Sequence, residues 1–148
     1  ARARGRGELL EPIDMPDTLP LVLVLSPVSC ATARVYAEWR TEDARPRDVE
    51  GLAAALVSGD RDGVGRRLGN DLLDACLRVC PEIGPAVEAV KSLSWPWSLT
   101  GSGGALFALA PDPRAAEVAA KRLQKDGWNA RVANAGLGAA QVPRSGVR

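Results

Sequence analysis

The apolar residues of this chain fall into short blocks whose period changes along the sequence. Arg2, Arg4 and Arg6 alternate with small residues and run into Glu8-Leu9-Leu10-Glu11-Pro12-Ile13, which predicts a short strand. After the turn-forming stretch Asp14 to Asp17, Leu21-Val22-Leu23-Val24-Leu25 is apolar at consecutive positions. A strand covered on both faces has that pattern, so this is the candidate central strand. Val35, Tyr36 and Trp39 then recur at helical spacing and predict a short helix over Ala33 to Trp39.

Arg40 to Arg47 is a charged surface connection, followed by an amphipathic helix on Leu52, Ala55 and Leu56 that ends near Gly59. Asp60 to Leu68 is a further short helical segment. Asn70 is suited to cap a helix over Asp71 to Cys80, with Leu72, Leu73, Cys76, Leu77 and Cys80 as its apolar stripe. Pro81 stops that helix and fits the first turn of the next, which runs to about Ser92 with Ile83, Val87 and Val90 inward. Trp95 to Leu99 and Ala105 to Ala110 read as strands of a hairpin around Gly101 to Gly104. Asp112 and Pro113 open a helix with Val118, Ala119 and Leu123 inward, Gly127 ends it, and Trp128 to Ala133 is the last strand. Residues 136–148 lack a core pattern and read as a flexible tail. The order implies an α+β fold, a mixed sheet of about four to five strands with helices packed on one face.

Composition narrows the function classes. Lysine and arginine number 19 against 18 acidic residues, so no net field gathers nucleic acid or an anionic membrane. The longest apolar run, Leu19 to Val28, contains Pro20 and Pro27 and is far short of the roughly 20 residues that cross a bilayer. With no secretory signal pattern either, a cytoplasmic protein is expected. There is no histidine, which removes Cys/His zinc sites and the commonest general base. The three cysteines, Cys30, Cys76 and Cys80, are read as core thiols, and no metal site is assigned.

The sharpest chemical signal is Leu99-Thr100-Gly101-Ser102-Gly103-Gly104 between two apolar strands. Glycines there allow positive φ and close approach of a phosphate or another backbone, although a hairpin turn uses them for geometry alone. The loop lacks the lysine followed by serine or threonine of a P-loop.

That loop resembles the third conserved motif of the GHMP kinase superfamily, and four further segments match in order. They are Gly5-Arg6-Gly7-Glu8 with Leu10 and Pro12; Leu23-Val24 with Pro27, Val28, Ser29, Thr32 and Tyr36; Asn70-Asp71-Leu72; and Cys80-Pro81-Glu82-Ile83. The resemblance covers residues 1–134 and is nearest to the branch acting on a cytidine-diphosphate methylerythritol. Departures are Ser26-Pro27, Cys30-Ala31 and Trp95-Pro96-Trp97.

The resemblance implies a GHMP kinase C-terminal domain with a ferredoxin-like core over residues 19–135, residues 1–18 being a remnant of a preceding N-terminal kinase domain. It implies phosphate-side support from Thr100, Gly101, Ser102, Gly103 and Gly104, and substrate contact at Ser29 and Thr32. ATP with Mg²⁺ would be held mostly by the missing N-terminal domain, which would also supply the catalytic aspartate. No residue of this chain is assigned that role, and Asp14, Asp17 and Asp71 do not match it. The chain is thus expected to be inactive alone, with an exposed interface through which it would meet its partner domain or dimerise. Asn70 and Asp71 are read as helix capping rather than ligand contact. Two other readings stay open: another GHMP kinase such as homoserine or mevalonate kinase, and a non-enzymatic α+β small-molecule-binding or regulatory domain.

Overall fold

The structure is a computed structural model and describes residues 1–136. The tail expected over 136–148 lies, beyond Gly136, outside the described residues. Near the start, β1 (Arg2–Arg4) and β2 (Leu9–Glu11) form an antiparallel hairpin with Arg2 opposite Glu11. Only the second strand was legible, because Arg2-Ala3-Arg4 has no apolar face to mark it. This hairpin is a separate two-stranded sheet, tied to the helix Val49–Ser58 by the Arg2–Glu50 ion pair.

The remaining elements are, in chain order, β3 (Leu19–Leu25), α1 (Thr32–Glu38), α2 (Val49–Ser58), α3 (Arg61–Arg67), α4 (Leu73–Val79), α5 (Gly84–Lys91), β4 (Trp97–Leu99), β5 (Ala105–Leu109), α6 (Pro113–Lys125) and β6 (Asn129–Ala135). The four-stranded sheet has the order β4-β5-β3-β6. All its pairs are antiparallel, where the sequence suggested a mixed sheet. The α+β class holds, and strands and helices follow the β-α-β-β-α-β plan with β3 at the centre.

Register explains the unbroken apolar run of β3. Val22 lies opposite Ala108 and Val24 opposite Leu106 and Ala130, and these residues form one buried face. Against it pack Cys76 of α4, Ile83 of the 3₁₀ turn Pro81–Ile83, Val87 and Val90 of α5, and Ala116, Ala119, Ala120 and Leu123 of α6. The alternate residues Leu19 and Leu21, with Leu109, meet Ala55 of α2 and Val64 of α3 in a smaller second cluster. Helices therefore reach both faces of the sheet, and the expectation of a single covered face is corrected.

Capping matches the sequence at several ends. Asp48, Asp60 and Asp112 each accept an amide N–H at 2.8 Å, from Gly51, Gly63 and Ala115 respectively. Pro113 opens α6, and Gly59 takes φ 72° just past α2. One side chain expected inward instead faces outward. Val118 is 62% exposed because the alanine stripe of α6 recurs at 116, 119, 120 and 123, which turns 118 to the far side. Tyr36 and Trp39 are also exposed, and Val35 alone anchors α1 in the core.

The position of α1 depends on Arg78. Its guanidinium donates to both carboxylate oxygens of the buried Asp43, to Glu38 Oε1 at 3.0 Å and to the Glu38 carbonyl at 3.1 Å. Asp43 is held below the usual carboxylate range first by Arg78 and then by the Arg40 amide. Glu38 is lowered first by Arg40 and then by Arg78. Carboxylates with depressed folded values stabilise the fold above their unfolded values, near pH 4, and that contribution is lost as pH falls through the lower folded values.

Replacing Arg78 with methionine is accordingly expected to reduce stability at neutral pH and flatten its acid limb, measured by urea unfolding at several pH values. An unchanged acid limb would refute the role given to Arg78. Leu123→Ala, at a fully buried site, is expected to cost about 2–5 kcal/mol in the same unfolding experiment.

Candidate functional site

At the β4–β5 turn, Gly101, Gly103 and Gly104 take φ of 58°, 136° and 87°, with Ser102 on the negative side. Alternation of this kind gathers successive amides toward one concavity. Three carbonyls at the loop, those of Leu99, Gly101 and Gly104, are tied to the protein. Asn70 Nδ2 donates to Leu99 O at 3.0 Å and to Gly101 O at 2.7 Å. Ser26 N donates to Gly104 O at 2.9 Å, and Thr100 reaches Ala105 O through its amide at 2.9 Å and its hydroxyl at 3.2 Å. The amides of Gly101, Ser102 and Gly103 meet no protein acceptor among the described residues. Tied carbonyls and unpaired amides make a surface suited to phosphate oxygens.

Three thiols form the seat of this loop. Cys30 and Cys76 are buried with their sulfurs 3.4 Å apart, and Cys80 is buried beside Cys30. Burial pushes Cys30 and Cys76 up, and Cys80 is pushed up to about 11, chiefly by Cys30 beside it and then by burial. All stay protonated at neutral pH and serve as packing, as the sequence implied. A Cβ at position 103 would stand 2.7 Å from Cys76 Sγ and 3.0 Å from Cys30 Sγ. Glycine is required there by space as well as by φ.

Of the residues singled out in the sequence, Thr32 and Ser102 come together, their hydroxyls 2.8 Å apart at the surface. Thr100 is turned inward by its bond to Ala105. Ser29 stands exposed between β3 and α1 and makes no side-chain bond among the described residues. Tyr36, one turn after Thr32 on α1, is 61% exposed. Its spacing of four from Thr32 puts both on the same side of the helix, which the sequence could have shown. Asn70 does more than cap: Oδ1 accepts the Leu72 amide at 2.9 Å while its donors hold the loop, and α4 begins only at Leu73. Asp71 pairs with Arg47 at 2.7 Å. Trp95, Trp97 and Trp128 pack against the main core.

Among the described residues no group of three acidic, thiol or imidazole side chains is arranged to hold a metal ion. Among the same residues no helix is long and apolar enough to cross a membrane.

The β-α-β-β-α-β plan sets the fold class, and the chain belongs to the family "GHMP kinases C terminal", whose profile matches residues 52–130. Within that family it is 37% identical over 133 residues to the 4-diphosphocytidyl-2-C-methyl-D-erythritol kinase of Moorella thermoacetica. That alignment covers 84% of this chain and 46% of the relative, so the chain spans less than half the relative's length. A crystal structure of 4-(cytidine 5'-diphospho)-2C-methyl-D-erythritol kinase superposes with a TM-score of 0.75 at 31% identity, covering 92% of this chain and 49% of the other. Homoserine kinase from Cytophaga hutchinsonii shares the fold, with a TM-score of 0.56 at 19% identity over 83% of this chain and 42% of that one.

Gly103→Ala is expected to displace the loop and destabilise the chain by about 1–3 kcal/mol, read by thermal or urea unfolding. A variant as stable as the parent would show that the thiol seat does not constrain the loop.

Proposed function

We propose that this chain is the C-terminal half of an ATP-dependent kinase that phosphorylates a hydroxyl of 4-diphosphocytidyl-2-C-methyl-D-erythritol in the cytoplasm, for isoprenoid precursor synthesis. Thr100 to Gly104 form its phosphate-side support, and Ser29 and Thr32 its substrate side. The observation that carries this reading is the loop with tied carbonyls and unpaired amides, bonded to α1 through Ser102 and Thr32. Phosphoryl transfer depends on positioning and on electrostatic stabilisation of the transferred group, and amides that need no reorganisation supply the second. The N-terminal half would supply the catalytic carboxylate, the main phosphate loop and the Mg²⁺ ligands. The segment of residues 1–18, whose Leu9 and Leu10 are 58% and 66% exposed, is suited to pack against that half.

In this arrangement the Thr32–Ser102 pair joins the two ligand regions. Both hydroxyls are accessible, and each can exchange its partner for an oxygen of a bound molecule. Tyr36 offers an aromatic face beside Thr32 on which a flat base can stack.

Joined to its N-terminal half, the chain is expected to turn over ATP with the cytidyl substrate, while the isolated chain binds without turnover. In the joined enzyme Thr32→Val is expected to raise KM for the cytidyl substrate about tenfold, the worth of one hydrogen bond to a charged group. Ser102→Ala is expected to act mainly on KM for ATP. Turnover by the isolated chain would defeat the proposed division of labour, and binding without turnover by the joined protein would favour a non-catalytic module.

A further inference from the structure

Resting on the phosphate-side reading of the glycine loop, we propose that Asn70 is a positioning residue for phosphate binding, which acts by fixing the peptide orientation of the loop from behind. A carboxamide has two N–H donors and one acceptor oxygen, and Asn70 uses all of them: toward Leu99 O, Gly101 O and the Leu72 amide. Only one orientation of the group is chemically consistent. Rotating it by half a turn would set its oxygen against two carbonyls and its N–H₂ against an N–H.

The consequence for the loop follows from peptide geometry. Gly101 C=O and Ser102 N–H belong to one planar trans peptide and point in opposite directions. Holding the Gly101 oxygen at 2.7 Å against Asn70 therefore turns the Ser102 amide away from Asn70, and that amide meets no protein acceptor among the described residues. Without this clasp, the glycine at position 101, with φ of 58°, leaves the peptide free to flip. A flipped peptide would present a carbonyl oxygen to an anion in place of an N–H.

A helix-capping role would need only the oxygen of Asn70. The two donors reach 29 and 31 residues along the chain to the loop and contribute nothing to α4. Capping and positioning are therefore separable by chemistry. Asn70→Asp keeps an acceptor for the Leu72 amide and is as good at a helix start, but it has no donors and sets a carboxylate against both carbonyls. Asn70→Ser keeps a capping oxygen without the charge.

The test is made in the kinase comprising this chain and its N-terminal half, comparing steady-state kinetics and thermal midpoint for Asn70→Asp, Asn70→Ser, Ser102→Ala and the parent. For both Asn70 variants, KM for ATP is expected to rise about tenfold with KM for the cytidyl substrate unchanged. The serine variant, being uncharged, keeps the test decisive if the aspartate variant folds poorly. Unchanged KM for ATP in the Asn70 variants, with Ser102→Ala still impaired, would overturn the positioning role and leave the loop's phosphate role standing. Unchanged KM for ATP in all three variants would remove the phosphate role itself, and the positioning role with it. A fall in thermal midpoint with kcat lowered and both KM values unchanged would reduce Asn70 to a structural cap and also overturn the proposal.

Discussion

The meeting of Gly103 with the sulfurs of Cys30 and Cys76 is the contact on which the site's arrangement depends. Cys30 belongs to the segment between β3 and α1, Cys76 to α4, and Gly103 to the β4–β5 turn. These segments come from distant parts of the sequence and converge where no side chain stands at position 103. Cys30 then places Thr32 two residues on, within reach of Ser102, and α4 places Asn70 behind the loop. Thiols suit this seat because they are compact and polarizable and, when buried and protonated, carry no charge that needs a partner.

A second constraint acts at the other end of α1. That helix has a single buried residue, Val35, and hydrophobic burial alone holds it weakly. The Arg78 guanidinium binds Asp43 and the Glu38 carbonyl at its C-terminal end, while the Thr32–Ser102 bond holds its first turn. The helix carrying the expected substrate residues is thus fixed mainly by polar contacts. An element held in this way can adjust when a ligand replaces one of those contacts.

Much of the fold was legible because its signals are local. The unbroken apolar run of β3, the Asp112-Pro113 start of α6 and the stop at Pro81 each need only a few neighbouring residues to be read, and the structure bears them out. What escaped was set by distant partners. Tyr36 and Trp39 have helical spacing, yet no element packs on their side of α1. The strand Arg2–Arg4 is defined by its pairing and not by its composition. At the site, the glycine turn and Thr32 could be singled out from sequence. The second use of Asn70 could not, because its capping bond is local and its bonds to the loop are not.

The central position of β3 has a consequence for how the chain acquires its structure. Leu21 pairs with Leu109 on one side and Ala133 on the other, so both neighbours of this strand emerge late in synthesis. Until then an apolar strand with two open edges waits while five helices and a hairpin strand are made. Non-local pairing of this kind slows folding and leaves intermediates prone to edge-to-edge association. Pro20 near one end and Pro27 just beyond the other interrupt the row of amides that a foreign strand would use, so protection during the wait is written into the same segment that later organises the sheet.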